Sequence, residues 1–428
     1  MKKMSDKYNI RRAESSDDGK RLNALFSKIF YPEPVGILAE TIFKHLPRMK
    51  KKYWFIAEEK ATETIASAFA LIPWTWEMDG MKLKVAEMGI VGTLEKYRKQ
   101  GIMHILNKEF DRTLEEENFD FAVIQGIPGF YHKFGYYYSI PLENHINIPL
   151  DSIQAIQKKY SFRLAEKKDI PWLMQEDKIY RDSNFISVFR DAANWEYLLT
   201  HSLTTEYGSE YWIMEDKSDK RCKFYCRIPG YGFGKGLIVS EISDNIDDEA
   251  LDNLLIFCRQ LSIEREKPYI RLNLHDNSSA GKKALSMNAE KGKPYAWQIK
   301  IQNSFKLLKK LAPIFDKRMK ESQFDNFSGT IRLDFFDSQA DMIWNSGKLE
   351  SIEPGNNKEC DNTFCINSDL FPAFCLGHRS WQELQSIRPD IFPAPQYVMP
   401  DLALSSNKTG LLMDILFPPR KSWVYEQY

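Results

Sequence analysis

Residues 85–106, Val-Ala-Glu-Met-Gly-Ile-Val-Gly-Thr-Leu-Glu-Lys-Tyr-Arg-Lys-Gln-Gly-Ile-Met-His-Ile-Leu, constrain the fold more than any other stretch, because they read as strand, basic turn and helix in one run. Val85 to Val91 is apolar apart from Glu87, with β-branched residues at 85, 90 and 91, which predicts a strand buried on both faces that stops at Gly92. From Ile102 the apolar residues fall at 102, 105, 106, 110 and 114, a helical period. The connection between them holds Lys96, Arg98, Lys99, Gln100 and Gly101. The first amides of a helix have no partners within it and carry the positive end of its dipole, and Gly101 lets a ligand approach the backbone. Such a turn seats an anion, and a phosphate fits it. On the turn alone, an ordinary βα connection with a solvated basic run fits as well, so the surrounding chain has to decide.

The chain of 428 residues is long enough for two or three domains, and 43% hydrophobic residues can give each a core. Lys+Arg and Asp+Glu are equal at 59 each, so nothing global favours nucleic acid or an anionic membrane as partner. No apolar run approaches a membrane span, and the charged amino terminus is not followed by an apolar core, which gives a cytoplasmic expectation. All six cysteines lie after residue 221 with no CxxC pair, as expected of reduced core thiols. Cys375 and His378 have C-x-x-H spacing, but a second pair is missing, so no metal site is expected.

In chain order, Tyr8 to Ala13 reads as a strand, and Asp17 and Asp18 precede an amphipathic run through Leu22, Leu25, Phe26, Ile29 and Phe30, a capped helix. A further helix is predicted from Ile37 to Leu46 after Pro32 and Pro34. Strands at 53–58 and 64–76 follow, the second turning through Asp79-Gly80 into the 83–91 strand. Trp74 and Trp76 share one face of their strand, where they pack or, as the sharper alternative, line a pocket. After the 102–117 helix comes a strand at 119–126 and then Gly129-Phe-Tyr-His-Lys-Phe-Gly-Tyr.

Residues 162–173, Phe-Arg-Leu-Ala-Glu-Lys-Lys-Asp-Ile-Pro-Trp-Leu, echo the opening Ile-Arg-Arg-Ala-Glu-x-x-Asp and predict a second, related half. It has no basic glycine turn, since its helix at 249–261 starts with acids, so no cofactor is expected there. Gly230-Tyr-Gly-Phe-Gly-Lys-Gly has neither dinucleotide nor P-loop spacing and reads as a hairpin loop. Beyond a linker near 302–304, a helix from Leu307 to Met319 and strands at 329–336 and 342–345 form a last part.

Arg98-x-x-Gly101-x-Met103 after a strand resembles the Arg/Gln-x-x-Gly-x-Gly/Ala acyl-CoA pyrophosphate loop of the Gcn5-related (GNAT) N-acetyltransferases, with Met103 departing from the pattern. Gly129 to Tyr136 is similar to that family's Tyr-x-x-x-Gly-Tyr/Phe element, and the strand-helix opening matches as well. Arg190-Asp-Ala-Ala-Asn-Trp195, Ser240-Glu-Ile and Glu249-Ala250 resemble the middle domain of the Eis-like (enhanced intracellular survival) branch. Residues 367–377, 411–419 and Trp423 resemble its sterol-carrier-like (SCP2-like) domain.

The resemblance implies an α+β protein: a GNAT domain over 1–150, a degenerate GNAT-like domain over 151–302 and a sterol-carrier-like domain over 303–428. It implies acetyl-CoA as co-substrate, held by Lys96, Arg98, Lys99, Gln100, Gly101, Ile102 and Met103, with an amide near Ile90 or Val91 facing the thioester oxygen. Tyr131 takes the general-acid position; a phenol with an ordinary pKa near 10 stays protonated at neutral pH and can donate to a departing thiolate. The terminal carboxylate of Tyr428 takes the role of base, with Glu33 or Glu87 as the side chains to consider in its place. The acceptor is a primary amine of aminoglycoside, polyamine or lysine type, met by Trp74, Trp76, Glu33 and Glu426, although Gln427 stands where an acid is expected. A hexamer is implied. The rival expectation is a binding protein: a degenerate acyl-CoA binder or an apolar-ligand carrier.

Overall fold

The computed structural model describes residues 7–154, 156, 158–232, 234–355, 360, 362–388, 390–394, 410–426 and 428; Gln427 lies outside them. The chain opens with β1 (Tyr8–Arg12), α1 (Ser16–Phe30) and α2 (Val35–His45), then the antiparallel run β2 (Trp54–Glu59), β3 (Thr64–Met78) and β4 (Met81–Thr93). Next, α3 (Ile102–Glu116) leads to β5 (Phe121–Ile124), which lies parallel to β4. Strand alternation sends Leu83 and Val85 of β4 into a core with Phe26, Leu38 and Ile42 of α1 and α2. It sends Ala86 and Met88 the other way, against Leu106 and Phe110 of α3. The sheet is therefore covered on both faces, which is why its strands read as nearly continuous apolar runs.

After β6 (Tyr137–Glu143) and β7 (His145–Pro149) come β8 (Tyr160–Leu164), α4 (Ile170–Ser183), β9 (Ile186–Val188), α5 (Ala192–Thr200), β10 (Ser209–Asp216) and β11 (Cys222–Pro229). They are followed by β12 (Leu237–Val239), β13 (Glu241–Ile242), α6 (Asp248–Glu264), β14 (Tyr269–Asn273), α7 (Ser279–Ser286), β15 (Glu290–Lys291) and β16 (Tyr295–Lys300). Strand pairing interlaces the two halves. β16 lies between β5 and β6, giving the order β1-β2-β3-β4-β5-β16-β6 with β9 added on β3, whereas β7 pairs with β14 and β15. The glycine-rich segment 230–236 is not a hairpin loop: β11 belongs to the β13-β11-β10-β8 sheet and β12 to the β12-β14-β7-β15 sheet, so it carries the chain from one sheet to another.

The internal echo has a physical counterpart. Arg11 of β1 donates to Asp18 of α1 at 2.7 Å and to Glu58 of β2 at 2.7 Å. Arg163 of β8 likewise bridges Asp169, at 2.7 and 2.8 Å, and Glu215 of β10, at 2.6 Å. The first helix begins with Ser15 as its cap rather than with the acids, and Asp18 closes a capping box with it. Burial works to raise the Asp18 pKa, but Arg11 and the amides of Glu14 and Ser15 bring it down to about 2.

The last part holds α8 (Ser304–Lys320), β17 (Gly329–Asp334), β18 (Gln339–Asn345), β19 (Lys348–Pro354), β20 (Asn362–Cys365), α9 (Phe371–Cys375), α10 (Trp381–Ile387) and β21 (Phe392–Ala394). Its sheet runs β19-β18-β17-β20-β21. A helical segment over 410–416 buries Leu412, Met413 and Leu416 in the core. The chain then runs without regular structure as a strap toward the first sheet. Phe185 donates its amide to Lys421 O at 2.8 Å, and the Tyr180 hydroxyl donates to Trp423 O at 3.0 Å. Trp297 Nε1 donates to Val424 O at 3.1 Å and Arg227 Nη1 to Glu426 O at 3.1 Å.

Candidate active site

Register makes an opening in the first sheet. β4 and β5 pair only from Val85↔Phe121 to Glu87↔Val123, yet β4 continues to Thr93. On its other side the register slips between Ala68↔Gly92 and Ala70↔Gly89, so an extra residue bulges out of β4. Ile90 in that bulge has φ +53°, a strained conformation for a β-branched residue. The bulge takes Ile90 and Val91 out of the regular pairing with β3, beside the part of β4 that β5 leaves unpaired.

One end of this opening meets the basic turn. Gly101 is the N-cap of α3 in the left-handed region, φ +76°, with no side-chain cap on the helix amides. A residue with a Cβ is disfavoured there; the His104 amide turns back to Gly101 O at 3.1 Å, and the amides of Ile102 and Met103 are the ones left for an external acceptor. Lys96, Arg98 and Lys99 are exposed, and Arg98 Nε donates to Thr93 O at 3.2 Å. The other predicted ligands differ in orientation. Gln100 braces the turn, accepting from Tyr8 Oη at 2.6 Å and from Lys7 Nζ at 3.2 Å while donating to Lys96 O at 3.0 Å. The Ile102 side chain is buried in the core beneath α3, so it offers only its backbone, and Met103 Sδ rests 3.9 Å from Ser67 Oγ.

At the other end sits Tyr131, whose ring packs so closely on Gly126 that a Cβ there would collide with it. The Tyr131 hydroxyl has no hydrogen-bond partner among the described residues, and burial, with a smaller contribution from Tyr295, raises its pKa. Tyr295 and Gln298 of β16 both donate to Gly126 O, the latter at 2.7 Å, so the inserted strand fixes the turn under Tyr131.

Tyr428 is 3% exposed and lies deep in the same region. Its hydroxyl donates to Glu87 Oε1 at 2.6 Å, and Trp74 Nε1 donates to Glu87 Oε2 at 2.8 Å. Burial raises the Glu87 pKa to about 7 against the lowering effect of those two donors. The Tyr428 ring stacks on Trp74 at 5.5 Å and meets Tyr207 edge-on at 4.6 Å. Trp76, by contrast, is core: its ring packs edge-on against Phe121 at 5.4 Å and Trp297 at 5.8 Å. Glu426 is half-buried, and burial raises its pKa to about 7 despite Arg227. Glu33 is exposed on the turn between α1 and α2; its charge helps raise the pKa of Glu206, after burial. Sequence patterns gave no sign of Tyr207, Glu206, Tyr295 or Gln298, which come from loops and from the strand exchange.

Cys375 is buried, with its thiol pushed up to about 12, and burial lowers His378 to about 4. Among the described residues, no group of three or more His, Cys, Asp or Glu could hold a metal ion. No helix among them is long and apolar enough to cross a membrane.

Residues 9–139 match the acetyltransferase (GNAT) domain family. No curated protein matches the sequence. Among solved structures, a GCN5-related N-acetyltransferase from Anabaena variabilis superposes with a TM-score of 0.67 at 13% identity, over 97% of this chain and 99% of that one. A probable N-acyltransferase from Enterococcus faecalis gives 0.67 at 14%, over 98% and 99%. Eis1 from Mycobacterium abscessus gives 0.60 at 12%, over 97% and 99%. The amino-terminal part of the chain is thus similar to the GNAT acetyltransferase domain over those residues. Over its full length the chain shares the fold of these three structures.

Proposed function

We propose that this protein transfers the acetyl group of acetyl-CoA to a primary amine of aminoglycoside, polyamine or lysine type. The observation that carries the proposal is the alignment of one opening with three features. These are unsatisfied helix amides and basic side chains at Gly101, a bulged strand edge at Ile90 and Val91, and the buried Tyr131 and Tyr428. The basic turn suits a pyrophosphate, and the bulge amides suit the oxyanion of a tetrahedral intermediate. Tyr131, kept protonated by burial and without a partner, is the proton donor to the leaving thiolate. The carboxylate of Tyr428 is the base for the incoming ammonium group, with Trp74, Glu33 and Glu426 around the acceptor.

The remaining assignments belong to the same proposal. Residues 1–150 form the acetyl-CoA domain, 151–302 a second GNAT-like domain without cofactor, and 303–428 a sterol-carrier-like domain, assembled as a cytoplasmic hexamer. Thiol release from acetyl-CoA, followed with a panel of amines, tests the activity. Turnover with one class of amine supports it, and acetyl-CoA binding without turnover across the panel returns the chain to the binding-protein reading.

A further inference from the structure

Glu87 is an oddity in its surroundings: a carboxyl 1% exposed in an otherwise apolar stretch of β4, with no ion pair among the described residues. Burying such a group without a cation is costly unless donors meet both oxygens. Both are met here, one by the indole of Trp74 on the neighbouring strand and one by the phenol of Tyr428, 341 positions away. Trp74 serves twice, since its ring also stacks on Tyr428 with an interplanar angle of 16°. The backbone of the strap is anchored at Trp423, Val424 and Glu426, but among the described residues no main-chain hydrogen bond holds Tyr428. Ring packing and the hydroxyl bond are what place that residue.

We infer that Glu87 is a positioning residue, whose carboxyl holds the Tyr428 hydroxyl and thereby locks the end of the strap inside the cleft. The catalytic consequence rests on the acetyl-transfer reading; the lock itself does not. A hydroxyl fixed at one end of Tyr428 and a stacked ring in the middle leave its main chain one orientation toward the acceptor. Only the hydroxyl bond is directional, because stacking alone allows the ring to slide.

The test uses the full chain and four variants: Tyr428→Phe, Glu87→Leu, Glu87→Gln and the Tyr428→Phe/Glu87→Leu double. Tyr428→Phe keeps the ring and the main chain and removes only the hydroxyl, while Gln at 87 still accepts from Trp74 and donates to Tyr428. Amide hydrogen exchange over 421–426 reads the lock without any substrate; it should quicken about tenfold in Tyr428→Phe and Glu87→Leu and stay near wild type in Glu87→Gln. With an accepted amine, the first two should lose about tenfold in kcat with KM for acetyl-CoA nearly constant, and the double variant should lose no more than either single. Wild-type exchange and kcat in Tyr428→Phe, or losses that multiply in the double variant, overturn the lock. If wild type turns over no amine at all, the acetyl-transfer reading fails, and the exchange comparison still decides the lock.

Discussion

Arg190 and Glu241 face each other through two hydrogen bonds, 3.2 and 2.9 Å long, with neither side chain reaching solvent. Arg190 also donates to Asp177 at 3.1 Å, and Arg227 joins Glu241 at 3.1 Å before reaching the strap at Glu426 O. Two segments recognisable in the sequence, 190–195 and 240–242, thus meet as one buried charge network under the end of the chain.

Removing one member leaves uncompensated charge in the interior. Arg190→Ala should destabilise the protein by about 3–5 kcal/mol, whereas Arg190→Met with Asp177→Asn and Glu241→Gln should recover part of that loss. Denaturant unfolding of the variants, followed by tryptophan fluorescence, measures both.

Gly101→Val combined with Arg98→Ala should abolish detectable acetyl-CoA binding by calorimetry while circular dichroism stays native. Valine is strained at φ +76°, and its side chain covers the helix amides. Loss of charge-assisted contacts to phosphate adds about 1.5–3 kcal/mol per contact. Unchanged affinity would place the cofactor elsewhere.

Tyr131→Phe should lower kcat by about 10²-fold or more with acetyl-CoA affinity retained, since the hydroxyl acts on thiolate departure. Gly126→Ala should behave similarly for a different reason, because its Cβ displaces the Tyr131 ring. Single-turnover kinetics separates both from a binding defect.

The pH dependence of stability should show Glu87. Its pKa rises from 4.5 to about 7 on folding, so the native state holds the proton more tightly. That contribution is fully present below pH 4.5 and is lost as the pH rises through about 7, a change of about 3 kcal/mol. Glu87→Gln should remove that slope, making the variant more stable relative to wild type at pH 8 than at pH 5. Thermal unfolding at the two pH values reads the difference; an equal effect at both would mean that Glu87 is ionised throughout.

A short polar extension after Tyr428 should fold and bind acetyl-CoA yet lose amine transfer, because it takes the carboxylate off the residue that the cleft holds. Native turnover in the extended protein would shift the role of base to a side chain, with Glu87 the first to examine.

What the sequence determined by itself is local. The 85–91 strand follows from a continuous run of apolar and β-branched residues, the 102–117 helix from a period of 3.6, and the turn between them from its basic residues and Gly101. The echo of Ile10-Arg-Arg-Ala-Glu-x-x-Asp17 in residues 162–169 was legible as well, but the acid that Arg11 meets is Asp18, one place beyond the pattern, whereas Arg163 meets Asp169 within it. Local reasoning erred where a segment's partner lay far away. The 230–236 loop looked like a hairpin because glycine reports turning and not which sheet comes next. Trp74 and Trp76 share a strand face, yet Tyr428 covers the first and Phe121 with Trp297 encloses the second. The insertion of β16 beneath Tyr131 and the meeting of Glu87 with Tyr428 were decided only by the tertiary structure. Both join positions more than a hundred residues apart, and no periodicity records which distant segment will cover an exposed strand edge or a buried carboxyl.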